Sequence, residues 1–374
     1  MSIAAFFAHL EQKTPLEVIL CEDDKEAKKL RDIALFFQKD VITFPDFRAT
    51  YGDDLRAYKE ELHQLLDALY HYHKNATANT VVIAPLRSMA FQLPKKELFT
   101  ELSLSFGDDI NIKELQNTLL EWGYNFVDIV ETTAEVSFRG DIIDIYPPSS
   151  KTPFRISLFD TQIEQIKPFD VQTQRTLKEE KETLLITPAL FGLSSLEYQT
   201  LLEKVENSPF EPLSKDIASL GLWHLDTVEN FLENKSVYFL KNLTPLLQEI
   251  FALQNPTIEE EFFQKIPILE EKEGYQEIIP IQPKALLLAH KDKDAIILAQ
   301  NKAILKQYEL YDEENFTYKQ SPLIVNILTP KQLIISLNKE QKQKRRKSSA
   351  ILLMSLKKGI MSFMKIMALG SLTG

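Results

Sequence analysis

The apolar positions of the first hundred residues fall into short runs separated by amphipathic stretches. Val18, Ile19, Leu20 and Cys21 form one run, Val41 to Phe44 a second, and Val81 to Ala84 a third. Each reads as a buried strand, and prolines at 45 and 85 stop the second and third. Between them, Lys25–Gln38 reads as a helix that Glu22, Asp23 and Asp24 cap with acid at its positive end. Leu55–His73 is a second helix, with Leu62, Leu65, Leu66 and Leu69 as its apolar stripe. Residues 1–12 form a short leading helix. Strand, helix, strand, helix and strand at these spacings predict a parallel α/β sheet.

The period changes after the helix Ile112–Gly123. From Ala134 the chain alternates: Ala134, Val136 and Phe138 on one side, Glu135, Ser137 and Arg139 on the other. A buried-strand run from Ile142 to Tyr146 follows, ended by Pro147 and Pro148. Ile156 and Leu158 then point inward while Arg155, Ser157 and Phe159 point outward. Asp160, Thr161 and Gln162 can turn the chain before Ile163 and Ile166 resume. The pattern predicts a small antiparallel sheet whose solvent face carries two arginines and an exposed phenylalanine.

Leu193–Phe210 is helical by pattern, Pro212–Trp223 a loop with a short helix, and Ser236–Leu240 a strand that rejoins the first sheet. Thr257–Glu273 carries many acids and reads as a solvated helix with a linker. A last α/β unit of roughly 55 residues is expected from Pro283. It has Ala285–Ala289 as a strand, Lys293–Gln307 as a helix, and Leu323–Leu328 and Gln332–Leu337 as strands. The implied division is 1–107, an inserted 108–190, 191–282, 283–338, and a tail 339–374.

Composition narrows the chemistry. The chain has 374 residues, a formal net charge of -11 and one cysteine, Cys21. The acidity argues against a general nucleic-acid binder. One cysteine excludes an internal disulfide and a multi-cysteine zinc site and fits a reducing, cytoplasmic setting. The N-terminus lacks the pattern of a signal peptide, and no run of about 18 apolar residues marks a spanning helix, so no membrane role is expected. The ten glycines offer neither the P-loop spacing followed by Lys nor the G-x-G-x-x-G pattern, so no nucleotide site of either kind is recognisable. His71 and His73 do not share a helix face and read as solvated. No catalytic or metal-binding constellation emerges.

The blocks WGYNFVDIV, FRGDIIDIYPPSS, PFRISLFDTQIEQIKPFD and TQRT, in this order, resemble the UvrA-interacting domain shared by UvrB and the bacterial transcription-repair coupling factor, Mfd. UvrB keeps a Walker A motif and a Tyr-rich hairpin, which are absent here. FPDFRATYGDDL and ILTPKQLIISLN are similar to the coupling factor instead, and the likeness covers about residues 20–358. It implies a P-loop-like parallel α/β domain lacking Walker A, split by an inserted α+β antiparallel-sheet domain and followed by a small α/β domain. It also implies UvrA as partner, with Arg139, Arg155 and Phe159 at the contact positions. No cofactor is implied on this chain. Whole members of the family use ATP and Mg and engage RNA polymerase and double-stranded DNA. The alternatives are a UvrB-like excinuclease subunit and a basic-tailed nucleic-acid binder.

The tail bears on the last alternative. Lys342, Lys344, Arg345, Arg346 and Lys347 lie in a basic run that could touch phosphate; the alternative is a solvated linker. After Leu356, Lys357, Lys358 and Gly359 the likeness to the family stops in a Met-rich segment. With plausible codons, shifting Ile360 onward by two bases reads Tyr-Val-Val-His-Glu-Asn-Tyr-Gly-Ile-Gly, the motif expected there. A frameshift near Gly359 is therefore expected. An amphipathic helix over Ile351–Leu369 is the rival reading.

Overall fold

Four parallel strands build the first sheet, in the order Val237–Phe239, Val18–Cys21, Thr80–Pro85 and Asp40–Thr43. A computed structural model describes residues 2–311 and 315–339. The two central strands are buried on both faces, which is why they read as unbroken apolar runs. Val18, Leu20, Val82 and Ala84 join one core, with Leu62, Leu65 and Leu69 of the helix Lys59–Asn75. Ile19, Cys21, Val81 and Ile83 join the other, with the helices Ser2–Glu11 and Asp24–Phe36. The strand Val237–Phe239 rejoins this sheet as its pattern predicts.

The reading of 257–273 as solvated needs correction. Ile258, Phe263 and Leu269 are buried. The Phe239 amide donates to the Pro267 carbonyl at 2.8 Å, and the Leu269 amide to the Phe239 carbonyl at 2.8 Å. The segment continues the parallel sheet past its edge, and its acids mask a few deeply placed apolar anchors. Only Glu260–Gln264 is helical. His73 is also half-buried rather than solvated, its ring 5.3 Å from that of Phe99.

The inserted body has a five-stranded sheet: Gln162–Pro168, Phe154–Phe159, Ile142–Ile145, Glu135–Arg139 and Asn125–Phe126. All neighbours are antiparallel except the last pair. A two-stranded ribbon, Leu102–Ser105 with Thr183–Ile186, belongs to the same body, because Leu104, Leu184 and Ile186 enter its core with Val136, Ile143, Ile156 and Ile163. The helix Ile112–Glu121, capped by Asn111, packs Leu115 and Leu119 into that core. The body is tied at its exit, where the Ala189 and Leu190 amides both donate to the Trp122 carbonyl, at 3.0 and 2.9 Å.

The last unit is α/β, but its first two elements are exchanged relative to expectation. Pro283–Ala289 is a helix and Asp294–Ala299 a strand. Pro283 takes the first helical turn, where it lacks no needed N–H, and Leu and Ala are strong helix formers. Only Leu287 of the leucine run is deeply buried, while Leu288 is exposed. Ala295 to Ala299 are all buried, as a central strand requires, with Gln332–Ser336 and Thr317–Gln320 parallel on either side. Of the expected strand Leu323–Leu328, only Ile327–Leu328 pairs as a strand.

This unit is welded to the first sheet. Ile296, Leu298, Val325, Ile327 and Ile334 share one core with Phe6, Phe7, Ile19 and Ile83. Asp32, almost fully buried, accepts from the Ile324 amide at 2.9 Å. Among the described residues no helix is long and apolar enough to cross a membrane.

Candidate partner interface

The strand register sets the outer face of the inserted sheet. Arg139, Ile142, Ser157 and Gln165 lie in one row, and Ser137, Asp144, Arg155 and Lys167 in the next. Two-residue turns, Gly140-Asp141 and Asp160-Thr161, close both hairpins at the same end. Gly140 and Asp160 supply the left-handed conformations, at φ 59° and 58°, as tight hairpin turns demand. Arg139 and Phe159 therefore stand together at that end. Phe159 is 70% exposed.

Arg155 sits differently from its expected place on an open face. Its side chain is 19% exposed against 48% for Arg139. Its Nε donates to Asp144 Oδ1 at 2.7 Å and an Nη to Oδ2 at 2.9 Å, a bidentate fork. The other Nη donates to the Gln174 carbonyl at 3.2 Å. The guanidinium lies 5.1 Å from the centre of the Phe169 ring. Its bond to Asp144 holds the arginine above its ordinary pKa. Arg139 gives one Nη to Asp144 Oδ2 and leaves the rest of its fork to solvent.

Ser137 is expected outside with the arginines, yet it is buried, and Asp144, part of the buried-strand run, is buried beside it. Two loops roof this row. Ser137 Oγ donates to the Asp128 carbonyl at 3.0 Å. Gln174 Nε2 reaches the Val130 carbonyl at 3.1 Å, joining the loop after Phe126 to the loop after Phe169. Thr173 donates its amide and hydroxyl to Asp170, which keeps that exposed carboxyl below its usual range and the loop in shape. Sequence reasoning missed Asp144. The available signal was a carboxylate amid isoleucines on a strand whose neighbours carry Arg at pairing distance.

The edge strand carries Phe126, level with Val136, 45% exposed and stacked on Phe138 at 5.8 Å. The open part of the outer face at the turn end is thus Arg139 with Phe159. Lys342, Lys344, Arg345, Arg346 and Lys347, and the segment after Gly359, lie outside the described residues.

The C-terminal edge of the parallel sheet is where open α/β folds bind ligands. Here the protein's own carboxylates fill it. Asp23 Oδ1 accepts the Glu26 amide at 2.9 Å, Glu26 accepts the Glu22 amide at 2.8 Å, and Asp24 accepts the Asp46 amide at 2.8 Å. The helix N-terminus that could hold a phosphate is taken by these anions. Among the described residues no group of three or more His, Cys, Asp or Glu is placed to hold a metal ion.

Residues 102–191 match the family model described as the UvrB interaction domain. A transcription-repair-coupling factor of Helicobacter pylori is 35% identical over 366 residues, which is 95% of this chain and 36% of that protein. The factor of Haemophilus influenzae is 32% identical over 172 residues, 45% of this chain and 15% of its own length. That of Staphylococcus aureus is 31% identical over 189 residues, 50% of this chain and 16% of its own. The chain thus spans about a third of the Helicobacter pylori relative it matches from end to end. With that alignment and the inserted domain in agreement, the chain belongs to the transcription-repair-coupling factor family.

Proposed function

We propose that this chain is a UvrA-recruiting module that links stalled RNA polymerase to nucleotide excision repair. One observation carries the reading: the UvrB interaction domain holds Arg139 and Phe159 exposed at the same end of one face of a braced sheet. A planar cation beside an aromatic anchor is the chemistry of an interface hot spot, and Arg139 suits a partner carboxylate. In this reading the parallel sheet is a P-loop-like domain that has given up its nucleotide. No Walker A motif follows its first strand, and Asp23, Asp24 and Glu26 stand where phosphates would. ATP-driven movement on double-stranded DNA, and polymerase contact, then belong to parts of the relatives beyond the third matched here.

The test is binding of purified UvrA to the chain and to Arg139→Ala and Phe159→Ala. Each variant is expected to weaken binding about tenfold or more, with melting temperature unchanged. Wild-type-like binding by both variants refutes the assignment. Arg155→Ala is a poorer probe, because it strips the main partner from buried Asp144 and so confounds contact with stability.

A further inference from the structure

We infer that Asp144 is a positioning residue for the partner face, and that Arg155 acts through it, leaving Arg139 as the arginine that meets UvrA. This rests on the reading of the inserted domain as a UvrA-binding module. The geometry separates the two arginines, which the strand pattern makes equivalent. Arg155 has Nε and one Nη on Asp144, its other Nη on the Gln174 carbonyl, and its flat face on Phe169. Little of its donor array remains for a partner, and swinging it out would leave a fully buried carboxylate with one nitrogen of Arg139 as its side-chain partner.

Arg139 is placed by the same carboxylate at one nitrogen only. The contact fixes the end of a long side chain that would otherwise sample many rotamers. An arginine held in place before binding loses less entropy when a partner arrives. Asp144 can do this because it is itself immobile. It lies at 0% exposure, opposite Arg155 on one strand and Ser137 on the other, under the two loops that Gln174 stitches together. The TQRT block thus acts as the rear brace of the face: Gln174, at φ 57°, presents its backbone carbonyl to Arg155 and its side-chain Nε2 to Val130.

A cycle of variants in the full chain, read by UvrA affinity, tests this. Asp144→Leu with Arg155→Met replaces the buried pair by apolar side chains of similar volume, a change that often preserves folding. Melting temperature checks each protein. If that pair melts early, Asp144→Val with Arg155→Leu serves as the background, again apolar and leaving Arg139 no acceptor there. Positioning predicts that Arg139→Ala weakens binding about tenfold in the wild type but no more than about twofold in the Asp144-altered background, where Arg139 is already unanchored. Phe159→Ala should cost the same factor in both backgrounds. An equal cost of Arg139→Ala in both overturns the inference while leaving the UvrA assignment standing. Failure of the wild-type chain to bind UvrA overturns both.

Discussion

Phe7→Ala probes the weld between the first sheet and the last α/β unit. Phe7 is 1% exposed on the helix Ser2–Glu11, with its ring 4.8 Å from that of Phe37 and 6.0 Å from that of Phe36. Truncating such a ring to a methyl typically costs about 3–5 kcal/mol, including the cavity it leaves. The edge-on contact with Phe37 supplies roughly 0.5–1.5 kcal/mol of that. Against a total stability of about 5–15 kcal/mol, the loss is a large fraction. At about 2 °C per kcal/mol for a large unit, the melting temperature should fall by roughly 6–10 °C. The same helix is tied to the segment 271–277, where the Tyr275 hydroxyl donates to Glu11. Trypsin should therefore cut at Lys272 faster in the variant. Leu253→Ala, at a site 67% exposed, is the control and should stay within about 0.5 kcal/mol of wild type. A Phe7→Ala protein that melts with the wild type and resists trypsin equally would show that the N-terminal helix is not part of the shared core.

Two further outcomes follow from local geometry. Gly123, at φ 84°, has Leu190 side-chain atoms 2.8 Å from where a Cβ would stand. Gly123→Ala should destabilise by about 2–4 kcal/mol, from left-handed strain plus overpacking, and should loosen the junction where Trp122 holds Ala189 and Leu190, as amide exchange at those two residues would register. Burial between the first sheet's helix and the junction prolines pushes His63 down to about 4. The folded value lies below the unfolded one, so the unfolded state binds more protons between pH 6.5 and 4, and stability falls as pH drops through that window. The loss saturates at on the order of 3 kcal/mol. His63→Gln should flatten the difference between melting curves taken at pH 7 and pH 4.5. An unaltered pH dependence would place the imidazole in solvent.

The residue pattern reveals a side of a strand more readily than it reveals what lies over that side. Val136, Ile156, Leu158 and Ile163 are all in the core their alternation assigns them, and Phe159 stands free on the other face. Period two records the direction of a side chain relative to its sheet. Coverage of that face depends on segments distant in sequence, here the loops after Phe126 and Phe169, whose polar residues give no periodic signal. That is why Ser137 reads as exposed and proves buried, and why Arg155 reads as Arg139's equal. The same limit explains the exchanged elements after Pro283. Short apolar runs fit a helix or a strand until tertiary neighbours choose, and Pro283 at the helix start is the local clue that decides for Ala285 to Ala289. Parallel strands suffer less, because burial on both faces leaves no uncovered side to misjudge, and Val18–Cys21 and Thr80–Pro85 lie where their pattern puts them. A binding face on an antiparallel sheet is the harder case. Half of its polar residues can be working parts of a hidden brace, so the exposed remainder, Arg139 with Phe159, marks the contact better than the full outward set does.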